Sequence, residues 1–273
     1  MKSNRSNIIL IVALIFGLGL IAYPSIAGYW NSVIASHAIE DYSAIVDEMD
    51  DKAYAKLFEQ AETYNKSLSE LEAPLSQYDT VEGYSEALSV DNSPLMGVIR
   101  VDKINVELPI YHGTSNSVLS DGVGHMEGTS LPLGGKDRHT VLSAHRGLPS
   151  SKLFTDLDKL EIGDIFTLTV LNRTLTYQVE QINITLPDET QYLQPVKGKD
   201  YCTLVTCTPY GVNTHRLLVR GKRIDNIVEN TAVATNDAII IEKTVVALVI
   251  GVPILILLLF LTSFIDKHNR KYT

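Results

Sequence analysis

The chain has 273 residues, 20% charged and 45% hydrophobic, which suits one large domain or two small ones and excludes a disordered tail. A net charge of −9 and a pI near 5.2 argue against nucleic acid as a partner, because its binders carry a basic footprint. Two cysteines are too few for a disulfide-dense scaffold or a four-thiolate zinc site.

The mean hydropathy of +0.08 is high for so much charge, and the excess sits at the two ends. Ile8 to Tyr23 carries no charge, and with Pro24 to Trp30 it reaches the roughly 20 residues needed to cross hydrocarbon. Tyr23, Tyr29 and Trp30 fit an interfacial aromatic belt. Val245 to Phe264 is a second uncharged run, and Pro253 inside it is tolerable in a membrane helix. Lys2 and Arg5 precede the first run; Lys267, Arg270 and Lys271 follow the second, opposed by Asp266. Basic flanks stay in the cytoplasm, so the expectation is a two-pass cell-membrane protein with its middle outside the cell. The flanks hold a net +2 each, which leaves about −13 of the total −9 on the exported part. A cleaved signal peptide is the alternative for the first run, since Ser25-Ile26-Ala27 resembles a small-x-small cleavage site.

The expected organisation is a tail and membrane segment at 1–30, a helical extension at 31–94, a β domain at 95–226, a linker at 227–244, and a membrane helix and tail at 245–273. From Ser36 to about Leu71 apolar residues recur at helical spacing, including Ile39, Tyr42, Val46, Leu57, Ala61 and Tyr64. The acidic residues between them (Glu40, Asp41, Asp47, Glu48, Asp50, Asp51) read as a solvated face rather than a metal site. Pro74 ends the pattern, and residues 72–94 read as a loop.

Short β-branched runs then follow, separated by turn residues: Gly97 to Val101, Ile104 to Ile110, Thr140 to Ser143, Ile165 to Val170, Leu175 to Val179, Thr203 to Thr206 and Arg216 to Arg220. About eight strands, with one short helix near Lys152 to Leu157, predict a mainly β fold built as a closed or nearly closed barrel.

A disulfide between the cysteines fails on geometry. Cys202 and Cys207 are five apart in an extended run, about 16 Å at 3.3 Å per residue, and odd spacing turns them to opposite faces. A bridge needs Cα atoms within about 7 Å. Cys202, inside the run, reads as a small core residue. Cys207 ends the strand before the turn-rich Thr208 to Asn213, where a nucleophile reaches substrate. Nine residues later Arg216 opens the returning strand, so a hairpin would set its guanidinium beside the sulfur, where it would stabilise a developing oxyanion.

A nucleophilic cysteine needs a proton-handling partner. Of seven histidines, His145 stands out because it follows a strand and precedes Arg146-Gly147, a strand end like that of Cys207. His112, His125 and His139 lie in turn-rich stretches and read as polar loop residues. His215 neighbours Arg216 and so faces away from it. His37 and His268 lie toward the membrane segments.

These residues resemble the sortases, the cysteine transpeptidases of Gram-positive cell surfaces. Thr203-Leu-Val-Thr-Cys207 and the downstream Arg216 are similar to the family's Thr-Leu-x-Thr-Cys signature, and Ser143-Ala-His-Arg-Gly147 to its histidine motif. Gly124 to Pro132 and the Thr208 to Arg216 loop are similar to class C, the pilin-polymerising branch. The resemblance covers about residues 95–224. It implies an eight-stranded sortase barrel in which Cys207 attacks the Thr–Gly bond of an LPXTG-like sorting signal. His145 would act as acid and base, Arg216 would hold the oxyanion, and Ser143 and Thr206 would contact substrate. The acceptor implied is a lysine of a pilin subunit, so the partners are pilins bearing sorting signals and acceptor lysines. No metal or organic cofactor is implied. One departure concerns the class C lid, usually anchored by an Asp-Pro-aromatic motif: here Glu72-Ala73-Pro74-Leu75 lacks both the acid and the ring in register. The lid is therefore absent, loosely held or anchored differently. The alternatives are a sortase that attaches proteins to the cell-wall cross-bridge, a membrane-anchored thiol hydrolase, and a non-enzymatic surface scaffold.

Overall fold

The computed structural model describes residues 2–226 and residue 251, with side chains from residue 12 onward. The second apolar run at 245–264 and the linker at 227–244 otherwise lie outside the described residues. Two compact units divide the chain, residues 1–29 with 229–273 and residues 30–228.

Helix α1 (Lys2–Asp47) begins in the first unit and passes through Pro24 without ending. It contains a stretch long and apolar enough to cross a membrane, with mean hydropathy 1.7, and Ile15, Phe16, Leu20, Ile21 and Ile26 are exposed along it. A helix apolar on all sides has no polar face to offer water.

The single helix expected from Ser36 to Leu71 is broken at Glu48–Asp50. Asp50 leaves helical geometry and caps helix α2 (Asp51–Ser69), its carboxylate accepting from the Ala53 N–H at 2.8 Å. Phe58, Ala61, Tyr64, Asn65 and Leu68 form the buried stripe of α2. That stripe lies on the β domain rather than apart from it. Asn65 pairs with the backbone of Leu131 in both directions, accepting from its N–H at 2.7 Å and donating to its carbonyl at 3.3 Å. The Tyr42 hydroxyl of α1 donates to the Met96 carbonyl and accepts from the Leu171 N–H. Helical extension and sheet therefore share one hydrophobic core.

The presumed loop at 72–94 contains helix α3 (Pro74–Gln77) and buries Ala87, Leu88 and Val90. Eight strands follow: β1 (Leu95–Val101), β2 (Val106–His112), β3 (Val123–His125), β4 (Arg138–Ser143), β5 (Ile165–Val170), β6 (Arg173–Thr185), β7 (Asp200–Thr208) and β8 (His215–Ile224). They close into a barrel in the order β1-β2-β3-β4-β7-β8-β6-β5. Closure leaves no sheet edge to pair with another chain.

The pairings β2–β3 and β4–β7 are parallel and the rest antiparallel. Strand β3 is three residues long, too short to carry an alternation, and helix α4 (Asn116–Asp121), capped by Ser115, precedes it. Strand β6 is much longer than the Leu175–Val179 pattern because a bulge between Val179 and Gln181 resets its alternation. The short helix expected near Lys152 to Leu157 is a series of turns ending in a 3-10 turn at Leu157–Lys159.

Candidate active site

Cys207 is the penultimate residue of β7 and Arg216 the second of β8, and the antiparallel register sets them directly opposite each other. Directly opposed residues share a face, with Cβ atoms about 4.5–5.5 Å apart. The guanidinium of Arg216 donates to the carbonyls of Asn213 and His215, so the β7–β8 loop backbone holds it. No carboxylate among the described residues pairs with it, which leaves its positive charge uncompensated locally. Asn213 takes φ +60°, the left-handed conformation that its short polar side chain tolerates.

Both cysteines are free thiols. Cys202 is fully buried, and burial pushes its thiol well above the usual range, with the Asp200 charge acting the same way. Cys207 is partly exposed. The odd spacing separates them as strand parity requires.

His145 reaches this place through the parallel pairing of β4 with β7, in which Ser143 lies opposite Val205. The pairing continues past the end of β4. The Ala144 N–H donates to the Val205 carbonyl at 3.1 Å, and the Thr206 hydroxyl donates to the Ala144 carbonyl at 2.8 Å. The paired register ends at Ser143 and Val205, and His145 and Cys207 each lie two residues beyond it. The His145 carbonyl accepts from the Phe154 N–H at 3.2 Å, which folds the following loop back on this turn. The last residues of β4 and β7 and the first of β8 thus lie at one end of the barrel, with Cys207 and Arg216 on those strands and His145 two residues past β4.

The two further residues of the motifs sit differently. Ser143 is half-buried at the end of β4, between Gly124 and Val205. Thr206 is buried, and its hydroxyl is engaged with Ala144.

Three histidines expected in loops are on strands, and two of them, His125 and His139, are buried. His125, on β3, receives the Tyr84 hydroxyl at Nδ1 (2.9 Å) and directs Nε2 at the Ser130 carbonyl (3.0 Å). His139, on β4, directs Nδ1 at the Gln194 carbonyl and Nε2 at the Thr203 hydroxyl. Burial lowers each to about 4, and the Arg220 cation also lowers His139, so both are neutral near pH 7. His112, at the end of β2, contacts the carbonyls of Pro94 (2.8 Å) and Ala87 (2.7 Å) through its two ring nitrogens. His215 faces away from Arg216 and contacts the Thr214 hydroxyl.

These contacts hold the segment whose lid motif is degenerate. Tyr84 packs edge-on to His112, bonds to His125 and accepts from the Gly113 N–H at 2.9 Å. Pro74 and Leu75 lie over Gly128 so closely that a Cβ there would stand 2.7 Å from the Leu75 Cα, and Gly128 has φ +81°. No sequence pattern marked Tyr84, because an isolated tyrosine in a polar loop carries no period.

Among the described residues no group of three His, Cys, Asp or Glu side chains could hold a metal ion. A thiol, an imidazole and a cation around one strand end form a set suited to acyl transfer through a thioester.

A closed barrel of this strand order with that set at one end defines a class, and comparison with known proteins agrees. The sortase domain family matches residues 99–224, and the chain belongs to the sortase family. Its structural neighbours are sortases C. Sortase C1 from Streptococcus agalactiae is 51% identical, with a TM-score of 0.63 over 70% of this chain and 99% of that one. Sortase C from Streptococcus pneumoniae, studied for its pilin substrate specificity, is 41% identical, with a TM-score of 0.63 over 70% of this chain and 97% of that one. A Clostridium perfringens sortase C, solved with the C-terminal cell wall sorting motif, is 43% identical, with a TM-score of 0.62 over 70% and 100%. Among curated proteins, sortase A of Streptococcus agalactiae is 31% identical over 48% of this chain and 53% of its own length. Sortase D of Bacillus subtilis is 32% identical over 47% and 63%. The chain therefore spans 53% and 63% of the length of those two curated relatives. The sortase C likeness weighs more, because its identity is higher over nearly the whole of each neighbour.

Proposed function

We propose that the chain is a pilin-type sortase transpeptidase. The observation that supports this reading is the register that opposes Cys207 to Arg216, with His145 following the end of β4, the strand next to β7. The Cys207 sulfur attacks the carbonyl carbon between Thr and Gly of an LPXTG-like sorting signal. The negative charge that develops on the carbonyl oxygen is met by the Arg216 guanidinium, whose own charge no carboxylate among the described residues quenches. His145 gives its proton to the departing glycine amine, the C–N bond breaks, and a thioester on Cys207 remains. A lysine amine of a second pilin then attacks the thioester, His145 takes its proton, and an isopeptide bond forms as the thiolate leaves. Ser143 lines the substrate path at the end of β4. The apolar helix within α1 anchors the enzyme in the cell membrane, with a second span at 245–264 and the catalytic unit outside.

A second reading keeps the same chemistry with a cell-wall cross-bridge amine as the acceptor. One experiment separates the two. The full chain in detergent is incubated with an LPXTG-type peptide and followed by intact mass. Wild type is expected to form a thioester adduct that is absent in Cys207→Ala and resolves onto a pilin lysine. Resolution onto a cross-bridge amine alone selects the wall-anchoring reading, and an adduct that persists in Cys207→Ala refutes both.

A further inference from the structure

Arg146 follows His145 in sequence, yet its guanidinium turns back to β7. Nη1 lies 3.3 Å from the hydroxyl of Thr208, the residue after Cys207, and Nη2 donates to the Asp158 carboxylate at 2.5 Å. The side chain is only 8% exposed, and the guanidinium carbon lies 6.0 Å from the centre of the Tyr210 ring. Its buried Nε has no partner among the described residues. The next residue, Gly147, takes φ +78°, and a Cβ on it would meet Tyr210 at 3.0 Å. Its N–H donates to the Thr155 hydroxyl.

Both neighbours of His145 are thus tied to both neighbours of Cys207. Thr206 grips Ala144 before the histidine, and Arg146 grips Thr208 after it. A guanidinium offers donors and no acceptor, so Arg146 takes no proton from the reacting groups. Asp158 offsets its charge, and the consequence of the arrangement is geometric. A buried Arg with an orphaned Nε carries a desolvation cost that packing alone does not require, which suits a residue retained for position.

We propose that Arg146 is a positioning residue that, with Asp158, locks the His145 turn against the Cys207 strand end. The inference rests on the transpeptidase reading and deepens it. The imidazole must meet the sulfur, the leaving amine and the incoming amine in turn, and a turn free to shift by an ångström loses these alignments. Misplacement on that scale costs about 100-fold in rate.

The test uses the full chain with a sorting-signal peptide and an amine acceptor. Arg146→Gln is expected to lower kcat about 10- to 100-fold with KM within about threefold, because the ground-state groove is untouched. Arg146→Lys restores part of kcat, since one ammonium reaches one partner but not both. Asp158→Asn, at a half-exposed site that does not threaten folding, lowers kcat about threefold to tenfold and adds little in the Arg146→Gln background. Wild-type kcat in either single variant, or a loss confined to KM, overturns the proposal. Cys207→Ala and His145→Ala run alongside. If either retains transfer, the transpeptidase reading fails, whereas silence of both with unaffected Arg146 and Asp158 variants refutes the positioning role alone.

Discussion

The Thr206 hydroxyl donates to the Ala144 carbonyl at 2.8 Å, joining two segments far apart in sequence at the residues that precede Cys207 and His145. A backbone tie would come from the sheet ladder; this one depends on a single side chain. Thr206→Val keeps the shape and removes the donor, which leaves a buried carbonyl short of a partner. The expected cost is about 1–3 kcal/mol of stability, read as a lower melting temperature, together with a fall in kcat that exceeds any change in KM. Unchanged stability would show that the carbonyl finds another donor.

Arg216 contributes little to holding the fold, because among the described residues its guanidinium meets only the carbonyls of Asn213 and His215 at the rim of the barrel. Arg216→Ala is therefore expected to melt within a few degrees of wild type while losing about 100- to 1,000-fold in kcat, the scale of a removed oxyanion donor. Arg216→Lys should recover only a minor part, since a point charge does not reproduce the planar fork. Steady-state kinetics beside thermal melts check both.

His125 and His139 make stability depend on pH. Each has a folded pKa of about 4 against 6.5 when free, so between these values the unfolded chain binds more protons than the folded one. Stability falls as pH drops from about 6.5 toward 4, by up to roughly 3 kcal/mol for each ring, and above pH 6.5 their contribution is complete. Asp200, raised by burial, works in the opposite sense at the acid end and offsets part of the loss. Denaturant titrations between pH 7 and 4 measure the slope. His139→Gln should flatten it, and an unaltered slope in that variant counts against a neutral buried His139.

Tyr84 holds the 84–94 segment through one hydroxyl that meets His125 and the Gly113 N–H. Tyr84→Phe keeps the ring contacts with Tyr64 and His112 but leaves both polar partners unpaired. The expected result is a loss of about 1–3 kcal/mol and faster amide exchange over residues 84–94 than over β7 and β8. Uniform exchange across the chain would mean the segment is held mainly by Ala87, Leu88 and Val90.

Much of this architecture is written in local pattern. The uncharged run from Ile8 to Tyr23, the alternation in Ile165–Val170 and the parity that separates Cys202 from Cys207 depend only on neighbours a few residues away, where helix and strand periods act. The pairing of Cys207 with Arg216 belongs here too, because a hairpin joins adjacent strands and its register follows from the short loop. Other features depend on contacts no local window contains. The break at Asp50 is a cap whose signal is buried in a row of similar acids. The histidines at 125 and 139 are neutral core residues because the barrel closes over them, although glycine and polar neighbours make their surroundings read as loops. The β4–β7 pairing is parallel, so its register is set by the barrel core rather than by a turn, and it ties the end of β4, just before His145, to the stretch of β7 just before Cys207. Sequence by itself singled out Cys207, His145 and Arg216 as the candidates for the chemistry and set them at or just past strand ends. Tertiary structure decided that those ends coincide, because barrel closure and long-range pairing place in contact what the chain keeps apart.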